Sequence, residues 1–134
     1  MEDFVPFEIA KKLKEKGFNI PFYFYYRTDD KSLRHANVTN PLIYCDKIDD
    51  EVVIAPTISQ VLKWLRDEKK ISIEVGIHCS LKWMCGIYEF SDGIADFTQY
   101  DNNGIDDTVY ILYESYEKAA LAGIEYAIDN LINN

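Results

Sequence analysis

The residues best equipped for chemistry lie between Ile71 and Glu117. If Asp92-Gly93 forms the two-residue turn of a β-hairpin, Glu89 stands opposite Asp96 as a cross-strand carboxylate pair. Such a pair supports general acid/base work when one pKa is raised. On a solvated sheet, however, two facing like charges are mildly unfavourable and splay apart. The segment Gln99-Tyr100-Asp101-Asn102-Asn103-Gly104 echoes the start of a calcium loop. Its first ligand position holds Gln99, and the twelfth, where a bidentate glutamate belongs, holds Tyr110. A hairpin turn at Asn103-Gly104 explains the segment without a metal. His35 and His78 have no second His or Cys at ligand spacing. Cys79 and Cys85 could face each other across a short hairpin. With Cys45 they make an odd count without Cys-x-x-Cys spacing, so reduced thiols are the simpler reading. No Gly-rich phosphate loop, nucleophile elbow or His-Glu-x-x-His helix occurs. The sequence therefore assigns no catalytic residue, no metal ligand and no cofactor.

Charge is the most uneven property of the chain. No Lys or Arg occurs between Lys82 and Lys118, while Glu89, Asp92, Asp96, Asp101, Asp106, Asp107, Glu114 and Glu117 give that stretch a charge of -8. The rest of the chain nearly balances, and the total is -9. A concentrated acidic surface can dock or steer a basic partner, or imitate a row of phosphates. The competing reading is that these acids sit in turns, at a helix start and on wet strand faces, where they confer solubility. Ten tyrosines add a second feature, and Tyr88, Tyr100, Tyr110 and Tyr113 fall within the same acidic stretch. Aromatic faces stack bases and are enriched at protein interfaces, but single-strand binders pair them with a positive groove. Protein contact or core packing is favoured here over nucleic acid. The candidate acidic face is Glu89, Asp96, Asp101, Asp106 and Asp107, with Tyr88, Tyr100 and Tyr110 as candidate aromatic contacts.

The 134 residues suit one domain, read as residues 1–134, and 48% hydrophobic with 28% charged residues are globular values. The acidic balance disfavours attachment to DNA or to an anionic membrane. Met1-Glu2-Asp3-Phe4 is acidic and has no apolar run behind it, so no secretory signal is expected. No stretch reaches the roughly 18 apolar residues of a membrane span. A cytoplasmic location follows as the expectation.

The elements that would position these residues are legible from spacing. A helix is expected over about Phe7–Lys16, with Phe7, Ile9, Ala10 and Leu13 buried, lysines 11, 12, 14 and 16 on the outer face, Gly17 as a left-handed cap and Phe18 folded back. Ile20–Arg27 reads as a strand, residues 28–40 as a loop, and Leu42–Cys45 and Val52–Ile54 as short strands. Thr57 and Gln60 have capping-box spacing before the stripe Ile58, Val61, Leu62, Leu65, widened by Trp64. Ile71–Cys79 alternates as a strand. Hairpins at Asp92-Gly93 and Asn103-Gly104 then place Tyr88 opposite Phe97 and Phe97 opposite Tyr110, with Phe90, Ala95 and Leu112 beside them. Cys85, Ile87, Val109 and Ile111 share the other face, so both faces are apolar and the pattern alone does not say which the helices cover. The last helix starts near Tyr116 behind an N-cap at Ser115, buries Tyr116, Ala120, Ile124, Ala127, Ile128 and Leu131, and carries Gly123 for close packing. The expected fold is a single α+β domain, an antiparallel meander with three helices in the order α-β-(β-β)-α-β-β-β-β-α.

Segments 7–18, 55–66 and 115–128 together resemble a family of small uncharacterised proteins common in gut bacteria, their prophages and their mobile elements. The resemblance implies a compact cytoplasmic α+β domain of phage or mobile-element type and carries no site residues. The functional expectation is an acidic accessory protein acting through protein contacts, without membrane attachment and not an enzyme. The alternative is a small enzyme or ligand-binding domain with a pocket between the sheet and the 28–40 loop.

Overall fold

Pro6, in extended conformation, precedes helix α1 (Phe7–Glu15), whose stripe Ile9, Ala10 and Leu13 is buried. The helix ends as the sequence predicts. Gly17 adopts φ +86, its N–H donates to the Lys14 carbonyl at 3.1 Å, and the Phe18 N–H donates to the Leu13 carbonyl at 3.0 Å. This reciprocal pair is a Schellman motif, which satisfies carbonyls the helix would otherwise leave open. Phe18 folds into the core at 3% exposure. Lys14 departs from the expected outer face: its ammonium donates to the Val52 carbonyl at 3.0 Å.

The computed structural model describes residues 3–36, 39–40, 52–77, 81–91, 94–98 and 112–132, with backbone only for 91 and 94–98. Met1–Thr57 and Ile58–Ile132 form two compact units. In the first, β1 (Phe24–Arg27) lies between β2 (Leu33–His35) and β3 (Val52–Ile54), antiparallel to both. The strand begins later than the aromatic run Ile20–Arg27 suggests; Pro21 has no N–H to donate to a ladder. Tyr26 is buried, its hydroxyl donates to the Val5 carbonyl at 2.7 Å, and burial raises its pKa. Val5 in turn donates its N–H to the Pro56 carbonyl at 2.8 Å.

The reading of 28–40 as a loop is corrected by β2. Asp30 builds the turn that returns the chain. Its carboxylate accepts from the Ser32 hydroxyl at 2.7 Å, from the Ser32 N–H at 3.0 Å and from Arg34 at 3.3 Å. Lys31 takes φ 59 between them. Side-chain bonds of this kind replace the hydrophobic alternation that would normally announce a strand. Leu42–Cys45 lies outside the described residues.

The second unit packs α2 (Ile58–Glu68) and α3 (Tyr116–Asn130) on one face of the antiparallel sheet β4-β5-β6, formed by Ile71–Ile77, Trp83–Ser91 and Ile94–Thr98. α2 buries Ile58, Val61, Trp64 and Leu65, leaving Leu62 half-buried. The Ser115 hydroxyl caps α3 by accepting the Lys118 N–H at 3.1 Å. Tyr116 is 40% exposed rather than buried, because its ring stands edge-on to Trp83 outside the Ala119, Ala120, Gly123, Ile124, Ala127, Ile128 stripe.

The register of β5 on β6 is the expected one, with Tyr88 opposite Phe97, Glu89 opposite Asp96 and Phe90 opposite Ala95. Ser91 opposite Ile94 is the pairing that a two-residue connection demands. Asp92-Gly93 itself, and the hairpin centred on Asn103-Gly104 with the Tyr110 pairing, lie outside the described residues. The three helices and antiparallel sheets make this the expected α+β fold, but Tyr113 does not take the pairing that the expected register gives it. In the expected register Tyr113 falls opposite Ile94, yet it bridges Trp83 of β5. The Trp83 N–H donates to the Tyr113 carbonyl at 2.9 Å and the Tyr113 N–H returns to Trp83 at 2.7 Å. β6 pairs β5 only from Ile87 onward, so the edge of β5 at Trp83 accepts Tyr113 instead.

Two measurements test these local causes. A Cβ on Gly123 would sit 2.8 Å from Ile73 Cγ2, a branch methyl that cannot swing aside. Gly123→Ala gains up to about 1 kcal/mol of helix propensity yet is expected to destabilise by about 1–3 kcal/mol through overpacking, and Ile73→Ala in the same chain should relieve part of that loss; chemical denaturation measures both. The Asp30 carboxyl, held at about 2 chiefly by the Ser32 hydroxyl, stays charged in the folded chain below its ordinary titration range. Its contribution is therefore complete above about pH 4 and disappears as pH falls toward the folded pKa. NMR titration should give a midpoint near 2 that rises in Ser32→Ala; an ordinary midpoint in the parent chain contradicts the turn.

Candidate functional site

Placement of the acidic and aromatic candidates follows from which sheet face the helices occupy. Gly123 of α3 lies against Ile73 and Cys85, and Ile71, Cys85 and Ile87 are buried. The helices therefore cover the Cys85–Ile87 face, the choice that two apolar alternations leave open. Successive strand residues point to opposite faces, so Tyr88 and Phe90 project from the helix-distal side and Glu89 belongs to the helix side. Glu89 and Asp96 are brought opposite each other, while Tyr88 is placed away from them. Asp101, Asp106, Asp107, Tyr100 and Tyr110 lie outside the described residues, as do the 99–104 segment, His78 and Cys79.

The helix-distal face can be assembled strand by strand. β4 contributes Ser72, Glu74 and Gly76; β5 contributes Met84, Gly86, Tyr88 and Phe90; Ala95 and Phe97 hold the adjoining register positions on β6. The Ser72 hydroxyl donates to Glu74 Oε1 at 3.1 Å, which sets one carboxylate beside Gly86. A Cβ at Gly76 would meet nothing within 4 Å. Phe90 is 39% exposed. The face is thus a low shelf around Glu74 bounded by an aromatic ridge. The sequence places Phe90 beside Tyr88 on this face, as found, but does not single out Met84, which the same period of two reaches, or Glu74.

The acidic stretch is partly neutralised at its border. Lys82 reaches Glu114 at 2.6 Å, and this hydrogen bond lowers the Glu114 pKa. The bridge between Trp83 and Tyr113 brings the two together, a contact that linear charge counting cannot reveal. Residues 58–134 still hold six Lys+Arg against thirteen Asp+Glu, compared with eight against ten in 1–57.

Among the described residues the remaining chemical candidates stand apart from one another. His35 sits in β2 with its ring edge-on to Phe24 at 4.8 Å and parallel to Tyr23 at 6.3 Å. Cys85 is buried and stands opposite Val75 in the β4–β5 register. Among the described residues no group of three or more His, Cys, Asp or Glu side chains is placed to hold a metal. A cavity of about 370 Å³ in the first unit is lined by Lys11, Lys14, Glu15, Thr28 and Val53. It lies against α1 and, among the described residues, draws Thr28 from the 28–40 segment that the alternative reading invokes. Among the described residues no helix is long and apolar enough to cross a membrane.

Comparison with protein-family models, with curated proteins and with solved structures found no match.

The two sheet faces should respond differently to truncation. Ile87→Ala opens a cavity in the helix-covered face and is expected to cost about 2–4 kcal/mol. Phe90→Thr keeps strand propensity while removing the exposed ring, and should cost less than half as much. Urea denaturation of the two variants gives the comparison; equal losses would mean that the assignment of faces is wrong.

Proposed function

We propose that this chain is a small accessory protein that works through protein contacts, and that the helix-distal face of β4-β5-β6 receives a basic partner. The observation that carries this reading is the aromatic ridge of Tyr88 and Phe90 beside Glu74, in a unit with more than twice as many acids as bases. Aromatic side chains are the usual anchors of protein interfaces, because they bury much area for little lost rotamer freedom. The acidic surroundings add long-range attraction for a cationic surface and discourage phosphate-bearing partners. The likeness of the three helical segments to proteins of phages and mobile elements supports the same role and suggests where a partner would be sought. A cytoplasmic setting belongs to this proposal.

In-cell crosslinking of the tagged chain, followed by mass spectrometry, tests the reading. The expected result is a partner whose crosslinked peptides are Lys- or Arg-rich and map to β4 and β5. Replacing Tyr88 and Phe90 together by Ser should abolish that crosslink, and raised salt should weaken the purified complex. A correctly folded double variant that keeps the same crosslinks overturns the assignment of the face.

A further inference from the structure

β4 stands at an edge of its sheet, and its main chain is paired on one flank, by β5. The Phe90 N–H donates to the Lys70 carbonyl at 2.8 Å, immediately outside the Ile71–Glu89 pair. In an antiparallel ladder that bond fixes the alternation. Ser72, Glu74 and Gly76 exchange bonds with Tyr88, Gly86 and Met84, while Ile71, Ile73, Val75 and Ile77 turn their N–H and C=O groups outward. Among the described residues none of these four makes a main-chain hydrogen bond on the outer flank.

The later half of the strand is open as well as unpaired. Glu74 and Gly76 are exposed, and Ile77 is 58% exposed. Proteins usually blunt such an edge with lysine, proline or a bulge, because unpaired main-chain groups template the pairing of another strand. Ile71–Ile77 contains neither residue, and its register on β5 runs without a bulge. Its one charge is Glu74, whose Oε1 accepts from the Ser72 hydroxyl at 3.1 Å. A carboxylate has about four acceptor sites, so this bond orients the group and leaves it able to accept again.

Charge decides what the edge would take. The unit holds six Lys+Arg against thirteen Asp+Glu, so a second copy of this chain is repelled and a cationic strand is attracted. An added strand alternates as its neighbour does. Its side chains on the Glu74 side are then Lys or Arg, and those on the other side are apolar and cover Val75 and Ile77. We infer that the outer flank of β4 takes an extended segment of the basic partner as a fourth strand of the sheet, with main-chain bonds to Ile73, Val75 and Ile77. The occupant's charge rests on the proposal of a basic partner, whereas the open flank stands without it.

The probe is an end-blocked heptapeptide of alternating arginine and valine, added to the ¹⁵N-labelled full chain. Before addition, the Ile73 and Val75 amides should exchange with solvent faster than those of Glu74 and Gly76. Equal protection would mean that the flank is already paired and overturns the inference. Saturating peptide should slow exchange at Ile73 and Val75 about tenfold or more, and a glutamate–valine peptide should not. Val75→Pro removes an outward N–H and no bond to β5, a place where an edge strand tolerates proline. It should weaken the peptide about tenfold, whereas Val75→Ala, which keeps the N–H, should bind as the parent does. Glu74→Lys leaves the main chain intact and should weaken it about three- to tenfold. No binding, or affinity unchanged in folded Val75→Pro or Glu74→Lys chains, overturns the edge site. Binding that shifts Tyr88 and Phe90 without protecting Ile73 and Val75 also overturns it, and leaves the contact face of β5 standing. Crosslinks of the Tyr88 and Phe90 double variant judge that face separately.

Discussion

The second unit depends on how closely α3 can approach its sheet. Ala119, Ala120, Gly123 and Ala127 face inward with little or no side chain, and the helix backbone comes near enough to β4 that even one methyl at Gly123 would collide with Ile73. Glycine weakens a helix on its own account, so the contact exists because tertiary packing outweighs local preference. That approach fixes which side of the sheet is core. Once Cys85 and Ile87 are covered, the alternation of the strands leaves Tyr88 and Phe90 on the other side. The candidate surface is thus a by-product of helix packing on the opposite face.

The first unit is held differently, with polar backbone bonds tying short pieces together. Val5 is bonded both to Pro56 and to the Tyr26 hydroxyl, and the Gly17 motif turns the chain back so that Phe18 can bury. The buried stripe of α1 is narrow: after Leu13 no apolar residue occurs until Phe18. Beyond Leu13 the space against β3 is bounded by lysine stems, which line a void without filling it as a branched aliphatic side chain would.

Legibility of the fold from sequence tracks the range of the forces involved. The cap at Gly17, the N-cap at Ser115 and the stripes of α1 and α2 are set by neighbours within a turn or two, and spacing alone reveals them. The β5–β6 register is similarly local, because a two-residue connection leaves one pairing. β2 was hidden, since three exposed residues carry no alternation and the turn rests on Asp30 bonds rather than on a Gly or Pro signal. The covered sheet face, the Lys82–Glu114 pair and the cavity depend on residues distant in sequence, and no pattern of types along the chain encodes them. Of the candidate site, the register of Tyr88, Glu89 and Asp96 and their division between opposite faces are legible from the period of two, but which face the helices cover follows only once α3 is located.

β5 carries three backbone neighbours: β4 along one side, β6 along part of the other, and Tyr113 where β6 has ended. Thr98 of β6 and Tyr113 are therefore both moored to β5 by main-chain bonds, so a distortion of that one strand would be passed at once to β4, to β6 and to the chain that enters α3.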